Sequence, residues 1–451
     1  MNIIVAGAGK TGLTLAQQLV AEGHNITLID NNNRVLESAV ERYDAMGMCG
    51  NAAAKAVLLQ AGVEEAELVI AATNADETNL LCCMTAHGIN PKLHTIARIR
   101  SPQYADQVMT MPEVFPLSMT VNPEKRAAVE IERLLKFPGF LQRDTFAKGQ
   151  VAIVELRINS DSKLCNVSLR DMGSVIKCRV LVCAVLRDGA AVAPSGNFVL
   201  QAGDRIFVTA PTADLAVLLR NLGIVTRRVR KVLICGGGRV SYYLAKLLES
   251  DKIEVKLLDK DYDRCVELAE LLPDTTVVRG DCSFQHVLDD QGLQTVDALC
   301  SLTGMDDTNM LISMYAQSTG VSQVITKLSR GKNALAGSLS IGSVICPKEL
   351  CSNDIVRYVR AMQNQTGAAI SVHSIADGQA EAVEFLVDSS AKHRDTPLKQ
   401  LKLKNNVLIA SITHGTQTHI PNGDSTFTEG DTVVVVTSGR GILKQINDIF
   451  A

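Results

Sequence analysis

Two hydrophobic periods alternate along this chain. Ile3 to Ala6 and Ile26 to Ile29 are short continuous apolar runs, and between them Leu13, Leu15, Ala16, Leu19 and Val20 recur at helical spacing. Short apolar runs fit strands covered on both faces, and the 3.6-residue period fits the helices that cover them. The alternation predicts further helices over Arg34 to Arg42, Ala52 to Ala61 and Leu80 to His87. It predicts strands over Ala45 to Cys49, Leu68 to Ala72 and His94 to Ile99. Strands and helices in this order require right-handed crossovers and a parallel sheet. Pro123 suits the first turn of a helix reaching Leu135, which Phe137-Pro138-Gly139 ends.

The pattern then changes. Val151 to Ile158, Val180 to Leu186 and Arg205 to Thr209 read as strands, with turn signals at Asp188-Gly189 and Gly203-Asp204 and a closing helix over Asp214 to Leu222. This is a small α+β module. After Gly223 to Arg230, a linker containing Arg227 and Arg228, the whole order begins again. Gly7 and Gly236 are 229 positions apart, as are Asp30 and Asp259 and also Arg98 and Lys327; Gly50 and Gly280, and Thr73 and Thr303, are 230 apart. Pro123 recurs as Pro347. The small module recurs as strands over Ala380 to Val387, Leu408 to Thr413 and Thr432 to Thr437 and a helix over Gly441 to Ile449. Constant offsets over many landmarks identify a tandem duplication. The expected domains are a Rossmann-like unit over 1–138, a small α+β unit over 139–224, a second Rossmann-like unit over 230–349 and a second small unit over 368–451.

Each Rossmann-like unit opens on a glycine turn. In the first, Gly7-Ala8-Gly9-Lys10-Thr11-Gly12 joins a strand to a helix, and Asp30 ends the next strand. That is the dinucleotide-binding fingerprint in its structural context. The first glycine allows a tight turn, the second lets backbone amides approach a diphosphate, and the third lets the helix pack on the sheet. The diphosphate would sit at the positive helix N-terminus, and Asp30 would accept bonds from ribose hydroxyls. A phosphate-binding loop of the NTPase kind is excluded, because the position five before Gly9 is Ile4. The candidate residues of the first site are Gly7, Ala8, Gly9, Lys10, Thr11, Gly12, Asp30, Asn51, Thr73, Asn74 and Arg98. Those of the second are Gly236, Gly238, Arg239, Val240, Ser241, Asp259, Asp281, Thr303 and Lys327. Ser241 stands at the third glycine position and is expected to crowd the helix–strand contact. Asn51 and Asp281 are placed to bond adenine or ribose. Arg98 and Lys327 are placed to reach phosphates, Arg being the better bidentate partner. The opposing readings are that both cations are surface counter-charges, and that the second unit is a degenerate Rossmann domain kept for packing.

Composition narrows the function. The chain has 451 residues, 46% of them hydrophobic and 21% charged, with a net charge of −3. This is a globular composition, and its charge argues against a nucleic-acid binder held by phosphate contacts and against adhesion to an anionic membrane. No apolar run approaches the roughly 20 residues that span a bilayer, and the first residues enter a strand without a basic, signal-like region. A cytoplasmic location is expected. The 12 cysteines form no Cys-x-x-Cys pair and no zinc-like spacing, so they read as small buried hydrophobes in a reducing compartment. No catalytic residue and no metal ligand stands out. None of the eight histidines recurs at matched positions in the two halves, as a duplicated proton donor would. A binding protein is favoured over an enzyme; the alternative is a soluble NAD-dependent oxidoreductase.

One stretch is more specific than the glycine turn. The series Gly-x-Gly-x-x-Gly, Asp30, Gly50-Asn51, Ala72-Thr73 with Asp76-Glu77-Thr78-Asn79, and then Ile96-Ala97-Arg98-Ile99-Arg100-Ser101-Pro102 with Tyr104, resembles the potassium-conductance-regulating (RCK, or KTN) domain. The small modules resemble its C-terminal companion. Two such pairs in one chain resemble the tandem RCK family of Trk-type potassium uptake. The resemblance implies a regulatory subunit on the cytoplasmic face of the inner membrane, bound to a membrane-embedded potassium-translocating subunit of the TrkH or TrkG kind. It implies a ring of these domains, a homotetramer, with NAD(H) or ATP/ADP as regulatory ligands in the clefts. By the same resemblance Glu124 begins the crossover helix, where a capping role is expected.

Overall fold

The computed structural model describes residues 1–136, 142–222, 229–329, 341–362, 369–376, 379–438, 443 and 445–451. Two compact units are present, Met1–Ala127 with Cys346–Val356, and Ala128–Ile345 with Arg357–Ala451.

The first unit is built on six strands, β1 (Asn2–Ala6), β2 (Asn25–Asp30), β3 (Met46–Cys49), β4 (Leu68–Ala71), β5 (His94–Arg98) and β6 (Met119–Val121). They lie in the order β3-β2-β1-β4-β5-β6, all parallel. The order reverses between β1 and β4, so the carboxyl ends of these two strands flank the crevice where open α/β sheets bind ligands. The helices are α1 (Lys10–Ala21), α2 (Asn33–Arg42), α3 (Lys55–Gln60), α4 (Asp76–Ile89), α5 (Pro102–Thr110) and α6 (Pro123–Lys136). The continuous apolar runs are buried on both faces: Ile4, Ala6, Val69, Ala71 and Ala97 share one core with Cys82, Cys83 and Ala86 of α4, and the alternate residues Ile3, Val5, Leu68 and Ile70 are buried as well. Burial pushes the Cys82 thiol up to about 12, which leaves it an inert hydrophobe. The start of the helix Pro347–Met362 also belongs to this unit. Arg126 Nε donates to Asp354 at 3.1 Å, and Gln18 Nε2 to Asn353 at 3.3 Å.

The second unit contains three sheets. Its six-stranded parallel sheet repeats the first in the order Thr275–Arg279, Glu254–Asp259, Lys231–Cys235, Ala298–Ser301, Gln323–Lys327, Ser343–Ile345. Residues 128–136 of α6 belong here, where the Leu134 carbonyl accepts from Gln323 Nε2 at 2.8 Å. Two five-stranded sheets have the same strand order as each other. One runs Ala190–Val192, Leu181–Arg187, Arg205–Pro211, Val151–Arg157, Gln142–Phe146; the other runs Gln417–His419, Val407–His414, Thr432–Ser438, Ala380–Leu386, Ala369–Ile375. All their pairings are antiparallel. Asp188 and Gly189, both at positive φ, make the predicted two-residue hairpin turn.

Several sequence expectations are adjusted. α4 begins four residues before Leu80, because Asp76 fits the first turn of a helix. α5, β6 and the strand Ala369–Ile375 are additional elements. The last helix, expected over Gly441 to Ile449, is a 3₁₀ turn over Ile446–Ile449 among the described residues. Reciprocal bonds between Gln445 and Asp448 close it. Residues 439–442 and 444 lie outside the described residues, as do Phe137-Pro138-Gly139 and the linker arginines Arg227 and Arg228.

The strands of the small modules are apolar at successive positions because each sheet is buried twice. One face of the first sheet packs on its own helices through Val154, Leu156, Leu215 and Leu219. The opposite face, with Phe146, Ile153, Cys183 and Phe207, shares a core with Ala382, Ala410, Val434 and Val436 of the other small sheet. Glu384 is buried beside this core and accepts from the Ala147 amide and the Ser371 hydroxyl, both at 2.7 Å. Phe207 is 1% exposed in the shared core, so Phe207→Ala should destabilise the protein by about 3–5 kcal/mol, read as a lower denaturant midpoint at unchanged m-value.

Candidate functional site

The crevice of each parallel sheet is shaped by its glycine turn. Gly7 has φ +100 and Gly236 φ +98. A Cβ on Gly7 would stand 2.9 Å from the Thr73 amide nitrogen, so the turn is pressed against the loop after β4. Gly9 and Gly238 differ: a Cβ on either would meet no heavy atom within 4 Å. Each is the residue preceding its helix, and neither helix start carries a side-chain cap. Open space therefore lies over uncapped first-turn amides, an arrangement suited to an anion.

The two acidic residues hold the turns. Asp30 Oδ2 accepts from the Ala8 amide at 2.7 Å and Oδ1 from the Asn32 amide at 2.9 Å. Asp259 does the same with the Gly237 amide at 2.5 Å and the Asp261 amide at 2.8 Å. Asn51 Oδ1 accepts from the Ala53 amide at 3.0 Å, and Asp281 Oδ1 from the Ser283 amide at 3.0 Å. The Ser283 bonds hold the Asp281 carboxyl below the usual carboxylate range. These two side chains shape their own loops as Asx turns.

A pair of residues not singled out as site members organises the crevice floor. Asn79 and Asn309 are 0% exposed. Asn79 Oδ1 accepts from the Thr73 amide at 2.8 Å and the Thr73 hydroxyl at 2.7 Å, and its Nδ2 donates to the Arg98 carbonyl at 2.8 Å. Asn309 makes the same bonds to Thr303 and to the Lys327 carbonyl, at 2.8, 2.6 and 2.9 Å. The signal was in the sequence: both asparagines lie six residues after the matched threonine.

The cations differ between the halves. Arg98 is 8% exposed. Its guanidinium donates to Thr11 Oγ1 at 3.3 Å, the Thr73 carbonyl at 2.6 Å and Asn74 Oδ1 at 3.4 Å, and so reaches from the end of β5 to the first turn of α1. Burial lowers its pKa, Arg100 adds to this and Glu124 opposes it; an arginine stays charged throughout. In the second half Val240 replaces Thr11, and Lys327 Nζ donates to the Leu302 carbonyl at 3.0 Å. Lys10 and Arg239 are exposed at the matched helix starts. Thus the structure brings together Gly7, Ala8, Thr11, Thr73, Asn74 and Arg98, with Asp30 behind the turn, and their counterparts around Gly236. Asn51 and Asp281 stand on the neighbouring strand's loop.

Ser241 is 0% exposed, and its hydroxyl donates to the Gly236 carbonyl. The crowding expected of a side chain at the third glycine position is offset there by a buried hydrogen bond.

Comparison with known proteins adds the family. A model of the TrkA-N domain matches residues 3–113 and 232–347, and one of the TrkA-C domain matches 153–223 and 382–450. The chain is 30% identical over its whole length to the Trk system potassium uptake protein TrkA of Vibrio alginolyticus, covering 98% of that protein. The chain belongs to the TrkA family. A TrkA homolog of Archaeoglobus fulgidus is 30% identical over the full length of both chains, and the TrkA of Haemophilus influenzae is 29% identical over 98% of its length. Among solved structures, the GsuK RCK domain covers 97% of this chain and 92% of its own at TM-score 0.60 and 15% identity. The GsuK channel bound to NAD covers 97% and 76% at TM-score 0.61 and 16% identity. These likenesses establish the tandem RCK fold. The relatives named above are Trk system potassium uptake proteins or homologs of them.

The glycine turns give a direct test. A Cβ on Gly12 would lie 1.9 Å from the Gly7 carbonyl oxygen. Gly12→Ala should therefore cost about 1–3 kcal/mol through overpacking and deform the first turn. Ser241→Gly removes one buried hydrogen bond and should cost about 1 kcal/mol. Thermal unfolding of the two variants should rank them in that order.

Proposed function

We propose that this chain is the nucleotide-binding regulatory subunit of a Trk-type potassium uptake system. It acts from the cytoplasmic face of the inner membrane on a membrane-embedded translocating subunit of the TrkH or TrkG kind. The observation that carries the reading is the duplicated crevice: two glycine turns with uncapped helix starts, each braced by an aspartate and a buried asparagine, in a chain of the TrkA family. NAD(H) and ATP or ADP are the proposed ligands. An NAD-bound channel of the same fold supports the first. Among the described residues no helix is long and apolar enough to cross a membrane, which fits a peripheral attachment.

A nucleotide shifts a ring only by binding its two shapes unequally, and full reversal of a two-state balance takes about 5.5 kcal/mol. The proposed source in the first cleft is Arg98, which bridges Thr11 and Thr73 and would lie beneath the phosphates of a nucleotide bound there. Titration calorimetry of the intact protein with ATP, ADP, NAD and NADH should show two nucleotides per chain; a value of one assigns the second cleft a packing role. Arg98→Ala should weaken ATP more than ADP. Equal losses for the two would make Arg98 a brace of the turn and not a phosphate ligand.

The ring is proposed to form through the faces of α4 and of the matched helix Asp306–Ser318. Leu81 is 53% exposed and Leu311 67% exposed at equivalent positions, with Met109 at 78% on α5. Large apolar side chains repeated on matched surfaces fit self-association. Leu81→Glu with Leu311→Glu should shift the assembly to smaller species in light scattering while leaving unfolding unchanged.

A further inference from the structure

The halves share the frame of the crevice, the glycine turn, the aspartate, the threonine and the asparagine, and they disagree most at the end beyond the aspartate. Two pairs of side chains follow the strand ends there in the second half, Tyr262 with Arg279 and Phe284 with His286. At offsets of 229 and 230 the first half has Asn33, Cys49, Ala54 and Ala56. Every aromatic or basic group is replaced by a small or neutral one.

The placement of the rings is informative. Tyr262 is the first residue of the helix Tyr262–Leu271, and Phe284 immediately precedes the helix Gln285–Asp290. The strands leading to them are parallel neighbours, with Asp259 opposite Arg279. Both rings thus stand at the carboxyl ends of adjacent strands, one beyond Asp259 and the other beyond Gly280-Asp281. Tyr262 is 61% and Phe284 55% exposed, whereas Phe207, Phe385 and Phe427 of the same unit are buried in cores. The Arg279 guanidinium lies over one face of Tyr262, 5.7 Å from its centroid, and the His286 ring is 5.8 Å from that of Phe284. A cation behind one face leaves the other available for a second planar group. Exposed aromatics beside a basic group are what base stacking uses, at about 1–3 kcal/mol per base.

We propose that the second cleft holds an adenine nucleotide chiefly by its base, stacked on Tyr262 and Phe284, while the first holds its nucleotide chiefly by the phosphates. This rests on the nucleotide reading given above. The phosphate side agrees with the division. The second cleft has Val240 where the first has the Thr11 hydroxyl, and Lys327 is turned to the Leu302 carbonyl where Arg98 spans to the glycine helix. The base-held site should accept ligands with few phosphates, AMP or adenosine, and the phosphate-held site should not.

The test is calorimetry of the full chain with AMP, adenosine and ATP. The wild type should bind one AMP per chain with ATP still entering the first cleft. Tyr262→Ala with Phe284→Ala should weaken AMP and adenosine about tenfold or more and leave ATP binding at the first cleft unchanged; Tyr262→Phe should keep the wild-type affinity. Both positions are exposed, so unfolding should not shift. Unchanged AMP affinity in the double variant overturns the inference while the nucleotide reading stands. So does a double variant that binds AMP normally but changes assembly size, because the rings then cover a second copy of the chain. A chain that binds no nucleotide at either cleft overturns both.

Discussion

The crevice in each half depends on one buried carboxamide. Asn79 and Asn309 are closed off from solvent, and a carboxamide so placed must find partners for both ends. Each accepts from the threonine that follows the central strand and donates to the carbonyl that ends the next strand. In the first half the ends of β4 and β5 are thereby fixed relative to each other, beside the crevice between β1 and β4 where the sheet order reverses. Gly7 can press against the Thr73 amide because that loop is held in place. Asp76 adds a second brace in the first half, accepting from the Arg100 and Ser101 amides at 2.8 Å each.

Much of this was legible in the sequence because it rests on local patterns. Apolar runs of strand length, helical spacing between them and glycine at a turn of positive φ are encoded within a few residues of each other, and the offset of 229 or 230 doubled every observation. The fold class followed from these alone. What escaped depends on distant partners. α5 is nine residues long and buries only Val108 below the surface, and the strand Ala369–Ile375 interrupts its apolar positions with Ser371, His373 and Ser374. The apolar strands of the small modules looked like those of any buried sheet, and nothing local to Phe207 says that it shares a core with Val434. Asn79 was visible as part of a motif, but its part in tying Thr73 to Arg98 needs strands brought together by the fold. Arg98 was legible as a cation at a strand end; its burial and its reach to Thr11 were not.

The two halves also show how a duplicated site drifts without losing its frame. The frame residues, meaning the aspartate at the turn, the threonine and the asparagine, are kept in both. The changes fall elsewhere: Thr11 with Arg98 becomes Val240 with Lys327, and Gly12, packed under the turn, becomes Ser241. These changes are coupled in physical terms. Arginine can span from the strand end to a hydroxyl on the glycine helix and bond a carbonyl on the way. With valine at the helix that hydroxyl is absent, and Lys327 Nζ donates to the Leu302 carbonyl instead. Loss of one partner removes the reason for the other.

The same frame explains how a ligand could be felt beyond the crevice. A group bound over the first turn of α1 would act on Thr11, and Thr11 is bonded to Arg98. Arg98 is bonded to Thr73, and through its own carbonyl to Asn79 at the start of α4. α4 is the helix whose outer face carries Leu81. Each link is a hydrogen bond between buried or half-buried groups, where losing a partner costs about 1–3 kcal/mol. Displacing the first turn of α1 alone would stretch the Thr11–Arg98 bond, and losing it would leave a buried group without that partner. These bonds connect α1, β5 and α4 in one series, with the surface of α4 at the end far from the glycine turn.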